Sequence, residues 1–512
     1  MVAGIINNSK PKMGTISETV QRARDAFNRG VTRPVEWRRQ QLENLLRLYK
    51  ENRQGMIEVL RQDLRRSKME AALLEVDFLI NDLINTLHNL DKWIKPEKPS
   101  KGLVNILDEV VIYNDPYGVT LVIGAWNYPL QLLLLPMSGA IAAGNAVIVK
   151  PSEMAPACAK FIAEMLPKYL DNDAILVVEG GPEETTELLK QKFDYIFYTG
   201  STSVGKIIYE AATKNLTPVT LELGGKSPVY IDNSADVEVT TKRVLWGKFI
   251  NVGQTCIAPD YILCTKEVQD KFVQMAKKVL KEWYGEDPQK SPDLSRIING
   301  RHFSRLQTLV DASKDKVAIG GSYDPKDKFI EPTILANVTP SDKIMADEIF
   351  GPILPIVPVA NAYEAIQFIN EREKPLVLYV FAKEMDVVNS LIENTSSGGM
   401  CINETVMHLA VETLPFGGVG SSGIGAYHGK ASFDTFTHKK SCLIKNFSSI
   451  GEKLASGRYP PYSDAKLSYI LTLMKPMNLP SMKYLPHLIA FALGAGVTYG
   501  ITAWQKMASE DL

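Results

Sequence analysis

The segment Gly118–Lys150, GVTLVIGAWNYPLQLLLLPMSGAIAAGNAVIVK, decides the fold. GVTLVIGAW and NAVIVK are near-continuous apolar runs, and YPLQLLLLPMSGAIAAG between them is apolar over a helical length. Runs without polar alternation predict strands covered on both faces, as in a parallel sheet. Toward the C-terminus, PSEMAPACAKFIAEMLPKYL predicts a helix opened by Pro151, AILVVEG a strand, GPEETTELLKQ a helix and FDYIFYTG a fourth strand. This alternation predicts an α/β fold with a doubly wound parallel sheet and right-handed crossovers. It continues through a second block to about Lys430, after which FDTFTHKKSCLIK reads as a late strand that returns to the first domain or crosses to a partner subunit. Toward the N-terminus, VVIYNDP is a strand preceded by the linker KPEKPSKG. Residues from about Ser17 to Trp93 carry apolar positions at helical spacing and predict three or so amphipathic helices.

The chain's 512 residues allow two or three domains and a large core, and a formal net charge of -1 argues against a nucleic-acid partner. Five cysteines without regular spacing read as reduced thiols, not a disulfide framework. There is no C-x-x-C or H-E-x-x-H, and the six histidines do not cluster, which predicts no metal site. The first residues contain no long apolar stretch, so no secretory signal is expected.

Five stretches carry candidate chemistry. In NVGQTCIAPDY, Cys256 sits on a Gly-Gln-Thr turn among exposed amides, a setting suited to reaction more than to packing. In VTLELGGKSP, Glu222 lies in an apolar strand; it is either ion-paired, with Lys226 as the candidate, or a base with a raised pKa. In AWNYP, Asn127 at a strand–helix corner either donates to a developing oxyanion or serves the turn. In YTGSTSVGKIIYEAA, the turn Gly200, Ser201, Thr202, Ser203, Val204, Gly205 either cradles a phosphate on free amides or uses its glycines for tight packing. Ile207 replaces the hydroxyl of a P-loop, which excludes a nucleoside triphosphatase. In VIVKPSE, Lys150 and Glu153 stand at a strand's carboxyl end and in the first turn of the next helix. They could meet ribose and phosphate, or Glu153 could simply complement the helix dipole. Cys158 and Cys264 read as packing residues, and Cys401 as a core residue or a tunnel wall.

Taken together, LELGGKSP, GQTCIAPDY, EIFGPILPI, FYTGSTSVGK, GAWNYP and PFGGVGSSGIGAYHGKASFDTFTH resemble the aldehyde dehydrogenases, and in detail the class 3 branch that includes the microsomal fatty aldehyde enzymes. The resemblance runs from about Ser17 to Pro461. It implies an aldehyde dehydrogenase-like fold: an NAD-binding domain with N-terminal helices over residues 1–222, a second α/β catalytic domain over 223–430, a bridging oligomerisation strand at 431–460, and a linker at 461–484. It implies Cys256 as nucleophile, Glu222 as general base and Asn127, with the Cys256 amide, as oxyanion hole. The Gly200–Gly205 turn would take the pyrophosphate, Lys150 and Glu153 the adenosine ribose, and Glu348 and Phe350 the nicotinamide ribose and ring. The cofactor would be NAD, with NADP possible; the substrate a medium- or long-chain aldehyde; the assembly a homodimer. The other class considered is a thiol hydrolase or a non-catalytic NAD-binding scaffold. No histidine stands in a motif suited to the first, and a scaffold is expected to have lost Cys256 or Glu222.

Leu485–Trp504, LPHLIAFALGAGVTYGITAW, carries no formal charge and spans roughly 30 Å as a helix. Flanking Lys475, Lys483, Tyr484 and Lys506 predict a C-terminal membrane anchor, with the catalytic domains on the cytosolic side of the endoplasmic reticulum; the alternative is a cytoplasmic protein with a core-docked or amphipathic tail helix.

Overall fold

The structure, a computed structural model, describes residues 13–475 and 485–510. The second part of the expected linker, with Lys483 and Tyr484, lies outside the described residues. The chain forms two compact units: the first comprises the residues up to Lys95 together with Asn114–Lys439, the second Pro96–Tyr113 together with the chain from Lys440 onward.

The first unit contains two sheets. The apolar runs around Gly118 become the centre of a six-stranded sheet in the order Gly423–Ile424, Val219–Glu222, Tyr195–Thr199, Val119–Ile123, Ala146–Lys150, Ile175–Val177. All its pairs are parallel except that of Gly423–Ile424 with Val219–Glu222. Val119–Ile123 and Ala146–Lys150 are buried at every position, as unalternating runs require. The helix Gln131–Ala143 is buried on all sides because Val35–Glu51 and Asp77–Ile94 cover the face turned away from the sheet. A seven-stranded sheet follows, in the order Gly399–Ile402, Val377–Phe381, Pro228–Ile231, Tyr261–Cys264, Ile353–Pro358, Thr333–Leu335, Val317–Ile319, parallel except at its last pair.

Three details depart from the sequence expectations. The N-terminal helices are Met13–Asn28, Val35–Glu51, Arg53–Leu64 and, after a break, a run from Lys68 to Ile94. Arg65 takes a left-handed φ of 53° that ends the third helix, so the periodic stretch is cut once more than its spacing suggests. The helix after Ala146–Lys150 begins at Pro156, not Pro151, and its first amides are capped by Asp63, which accepts from Ala157 N at 3.1 Å and Cys158 N at 2.9 Å. Glu153 therefore lies in the preceding turn and is not a first-turn residue.

The late strand Thr437–Ile444 pairs with Glu109–Pro116 in a two-stranded ribbon. In the second unit Lys445 pairs with Asp108 at 2.7 Å, and the helices Ser449–Ala455 and Asp464–Met474 bury no residue. The tail forms the helix Leu485–Glu510, but no helix among the described residues is long and apolar enough to cross a membrane. Gly494, Gly496, Thr498, Gly500 and Thr502 interrupt its apolar positions and weaken the span read from length and flanks.

Candidate active site

The nucleophile candidate is presented by a strained turn. After the helix Val237–Phe249, three consecutive residues, Asn251, Val252 and Gly253, take left-handed φ of 48°, 47° and 76°. Asparagine tolerates this region and glycine suits it, but a β-branched valine enters it only when its surroundings impose it. Those surroundings are specific. Asn251 N donates to Glu70 at 3.1 Å, and Asn251 Nδ2 donates to the carbonyls of Asn127 at 2.9 Å and Gln254 at 3.0 Å. The Gln254 amide donates to Asn251 O and Arg296 O and accepts from Ile298 N at 3.0 Å. On the far side, Tyr128 OH meets Thr255 Oγ1 at 2.8 Å and Tyr379 OH donates to Ile257 O at 2.6 Å. Cys256 thus sits half-buried in a loop tied down on both flanks. Cys158, Cys264 and Cys401 are buried in a helix and two strands, and all five cysteines are free.

Around Cys256 the structure gathers the other candidates. Asn127 is buried at the end of the loop after Val119–Ile123, and its Nδ2 donates to Gln254 O at 3.1 Å, two residues before the thiol. Glu222 closes the strand Val219–Glu222; it is 3% exposed, and neither carboxylate oxygen has a hydrogen-bond partner among the described residues. Lys226 is not its partner. That lysine pairs with Asp260 at 2.5 Å and donates to the carbonyls of Asp347 and Ile344, which settles the open choice against an ion pair. Burial pushes the Glu222 carboxyl well above the ordinary carboxylate range. A side chain at Gly224 would come within 2.8 Å of the Glu348 carboxyl carbon, so the bare backbone there lets Glu348 approach. Burial, and then the neighbouring Asp260, push Glu348 up to about 8. Burial, and then the charges of Glu348 and Glu222, push the Cys256 thiol up to about 12. Phe350, with a left-handed φ of 49°, sets its ring edge-on to Trp126 at 5.4 Å, next to Asn127 in sequence.

A second cluster lies at the carboxyl edge of the six-stranded sheet. The strand Tyr195–Thr199 runs into Gly200, Ser201 caps the helix Thr202–Thr213, and Ser201, Ser203 and Val204 are exposed. Gly205 is buried against Leu223, so one glycine serves packing, and Gly200 N donates to Glu222 O at 3.0 Å, while no acceptor for the Ser201, Thr202 and Ser203 amides stands among the described residues. One strand beyond the sheet's centre, Lys150 Nζ lies 3.1 Å from Glu153. An open helix N-terminus flanked by a cation and a carboxylate at parallel-strand ends fits a dinucleotide's phosphates and ribose. The candidates therefore fall into two groups: Cys256, Asn127, Glu222, Glu348 and Phe350, and the turn Gly200–Gly205 with Lys150 and Glu153.

Sequence reading missed the residues that hold the first group. Asn251, Gln254 and Asp260 lie inside the NVGQTCIAPDY motif and could have been found there; Tyr379 gave no signal. Arg66, Glu70 and Glu75 were hidden among the charges of the N-terminal helices.

Residues 5–442 match the Aldehyde dehydrogenase family. A Rattus norvegicus protein named "Aldehyde dehydrogenase, dimeric NADP-preferring" is 52% identical over 455 residues, covering 89% of this chain and 99% of its own. "Aldehyde dehydrogenase family 3 member A2" of Rattus norvegicus is 52% identical over 450 residues, covering 88% of this chain and 92% of its own. Among solved structures, a substrate-bound Staphylococcus aureus AldH superposes with a TM-score of 0.87 at 42% identity, covering 90% of this chain and 99% of its own. With the fold, the cysteine loop and the two buried glutamates in place, the chain belongs to the aldehyde dehydrogenase family, on its class 3 branch, and is an NAD(P)-dependent enzyme that oxidises aldehydes.

Proposed function

We propose that the chain oxidises medium- or long-chain, lipid-derived aldehydes to carboxylic acids through a covalent intermediate on Cys256. The carrying observation is the convergence of a half-buried thiol, a buried amide and a buried carboxyl that has no hydrogen-bond partner among the described residues, the carboxyl close enough to raise the thiol's pKa. The Cys256 sulfur attacks the carbonyl carbon, and the oxygen gains negative charge between the Asn127 amide and the Cys256 N–H. Each such donor is worth about 3 kcal/mol in the transition state. The nicotinamide, when bound, supplies the acceptor for the substrate's hydride. Glu222, held at high pKa, takes the proton of the water that cleaves the resulting thioester. Glu348 and Phe350 hold the nicotinamide end; the Gly200–Gly205 turn, Lys150 and Glu153 hold the adenosine end. Glu153 favours NAD over a 2′-phosphate, and Lys150 beside it allows NADP.

The preference for apolar aldehydes is supported by the pocket's surroundings. Cys256 packs against one apolar cluster together with Trp246, Trp283, Leu409 and Phe416. The exposed Phe491, Leu493, Val497, Tyr499 and Ile501 of the tail helix support attachment to the endoplasmic reticulum membrane, with the catalytic domains in the cytosol. We assign residues 1–222 to cofactor binding and 223–430 to the catalytic domain, and expect a homodimer; the rat relative's name calls that protein dimeric.

The test is Cys256→Ser assayed with aldehydes of increasing chain length and each cofactor. Reduced-nicotinamide formation disappears while cofactor affinity is kept, and wild-type kcat/KM rises with chain length. Undiminished turnover in the variant would remove the nucleophile; a flat series would remove the lipid assignment.

A further inference from the structure

Arg66 is among the most deeply buried side chains of the molecule, 1% exposed as a residue, and nothing in the chemistry so far uses it. One guanidinium nitrogen pairs with Glu75, which is also fully buried; the other donates to the main-chain carbonyl of Asn127 at 2.6 Å. The guanidinium carbon lies 4.6 Å from the ring centroid of Tyr128, the next residue. Glu75 uses its second oxygen to accept from the amides of Leu130 and Gln131, both at 2.9 Å, at the start of the helix Gln131–Ala143. It projects there from a π-helical turn, Ala72–Val76, a local widening that recurs at functional sites. The segment Asn127–Gln131 is therefore gripped at both ends by one ion pair from the N-terminal helices.

The grip has a counterpart across the site. Asn251 Nδ2 donates to the same Asn127 carbonyl, while Asn127 Nδ2 gives one of its two N–H groups to Gln254 O. The carbonyl is held by two donors from opposite sides and the carboxamide by one acceptor. No second acceptor for Asn127 Nδ2 stands among the described residues, which leaves its other N–H available to a substrate oxygen on Cys256. A buried ion pair is a weak source of net stability, because desolvation offsets its attraction. Its geometry, two directed bonds onto the segment that carries the oxyanion donor, is what a lysine or an apolar pair could not reproduce.

We propose that Arg66, oriented by Glu75, is a positioning residue that sets the Asn127 carboxamide for transition-state binding; this rests on the oxyanion role proposed above for Asn127. The test is a double-substitution cycle between Arg66→Lys and Asn127→Ala in the full-length enzyme, reading kcat, KM, cofactor affinity by reduced-nicotinamide fluorescence, and the rate of Cys256 alkylation. Arg66→Lys keeps the charge opposite Glu75 and withdraws the directed bond. It lowers kcat about 10- to 100-fold, within the roughly 100- to 1,000-fold that loss of an oxyanion donor costs. KM, cofactor affinity and alkylation change less than about threefold, which a general loosening of the fold would not leave intact. In the Asn127→Ala background the same substitution changes kcat less than about threefold, because the group it positions is gone. Equal losses in both backgrounds, or no loss in Arg66→Lys alone, overturn the positioning role. Wild-type kcat in Asn127→Ala overturns the oxyanion role and this inference with it. If Arg66→Lys does not fold, Glu75→Gln, which removes the charge that orients the guanidinium, enters the same cycle with the same deciding outcomes.

Discussion

Replacing Gly253 by alanine puts one methyl group into the turn that carries Cys256, the proposed nucleophile. The new Cβ would lie 2.7 Å from the Gly351 carbonyl carbon, closer still to its oxygen, and 3.1 Å from Lys248 O, where ordinary contact begins at 3.4 Å. All three neighbours are backbone, so no side chain can swing aside. The φ of 76° adds roughly 1–2 kcal/mol for a residue with a Cβ, and the overlap adds about 1–3 kcal/mol. A total of about 2–5 kcal/mol is a large part of the usual 5–15 kcal/mol of net stability. The strain falls between Asn251–Gly253 and the Glu348–Gly351 segment, the two loops that meet at Cys256. Moving them apart by most of an ångström costs about 100-fold in turnover by misalignment alone. Thermal unfolding and steady-state oxidation of an aliphatic aldehyde read both effects. Gly300→Ala is the companion: nothing lies within 4 Å of its new methyl, and Asn299 already caps the helix it opens, so it is neutral or slightly stabilising. A Gly253→Ala enzyme with wild-type melting temperature and kcat would refute the packing argument.

Glu222→Gln keeps the shape and removes the base: one equivalent of reduced nicotinamide forms rapidly, then steady turnover falls roughly 100- to 10,000-fold as acyl-enzyme accumulates, seen by stopped-flow absorbance and intact mass. Burial raises the Cys256 thiol to about 12, lifts Glu222 well above the carboxylate range and raises Glu348 to about 8. Because the proposed thiol nucleophile and the proposed base Glu222 act deprotonated, kcat/KM rises with pH from 7 to 9, and a profile falling over that range contradicts it. The same shift acts oppositely on stability: between 4.5 and about 8 the folded Glu348 holds a proton that the unfolded chain releases, so its share of stability declines as pH rises, and Glu348→Gln flattens that dependence in melting curves. The full-length protein floats with vesicles of endoplasmic-reticulum lipid composition and a version ending at Pro480 does not; equal flotation of both removes the tail as an anchor.

The parallel strands were legible because burial on both faces writes itself as unbroken apolar runs, and Cys256 stood out as the proposed nucleophile because a cysteine between Gln-Thr and Ile-Ala-Pro has no packing logic. Partner choice was not. Lys226 stands four residues from Glu222 and looks like its counter-ion, yet Asp260, 34 positions away, takes it. The left-handed Val252 could not be read from a residue type that avoids that conformation; only Glu70, Asn127 and Gln254, brought together by the fold, hold Asn251 beside it. The helix start moved from Pro151 to Pro156 because Asp63, in another helix, supplies the cap. Local chemistry is visible in one dimension, whereas hydrogen-bond partners distant in sequence are decided by topology.

The short antiparallel strand Gly423–Ile424 has a consequence for how the polypeptide is made. It seals the edge of Val219–Glu222, with Leu223 N donating to Ser422 O at 3.1 Å, two hundred residues after that edge is synthesised. Until the ribosome has released the chain past Ile424, the strand bearing Glu222 has an uncovered row of peptide groups, a template for wrong pairing. Long-lived nascent chains stalled before that point are where chaperone demand and aggregation should concentrate, and the active site matures only when the closing strand docks.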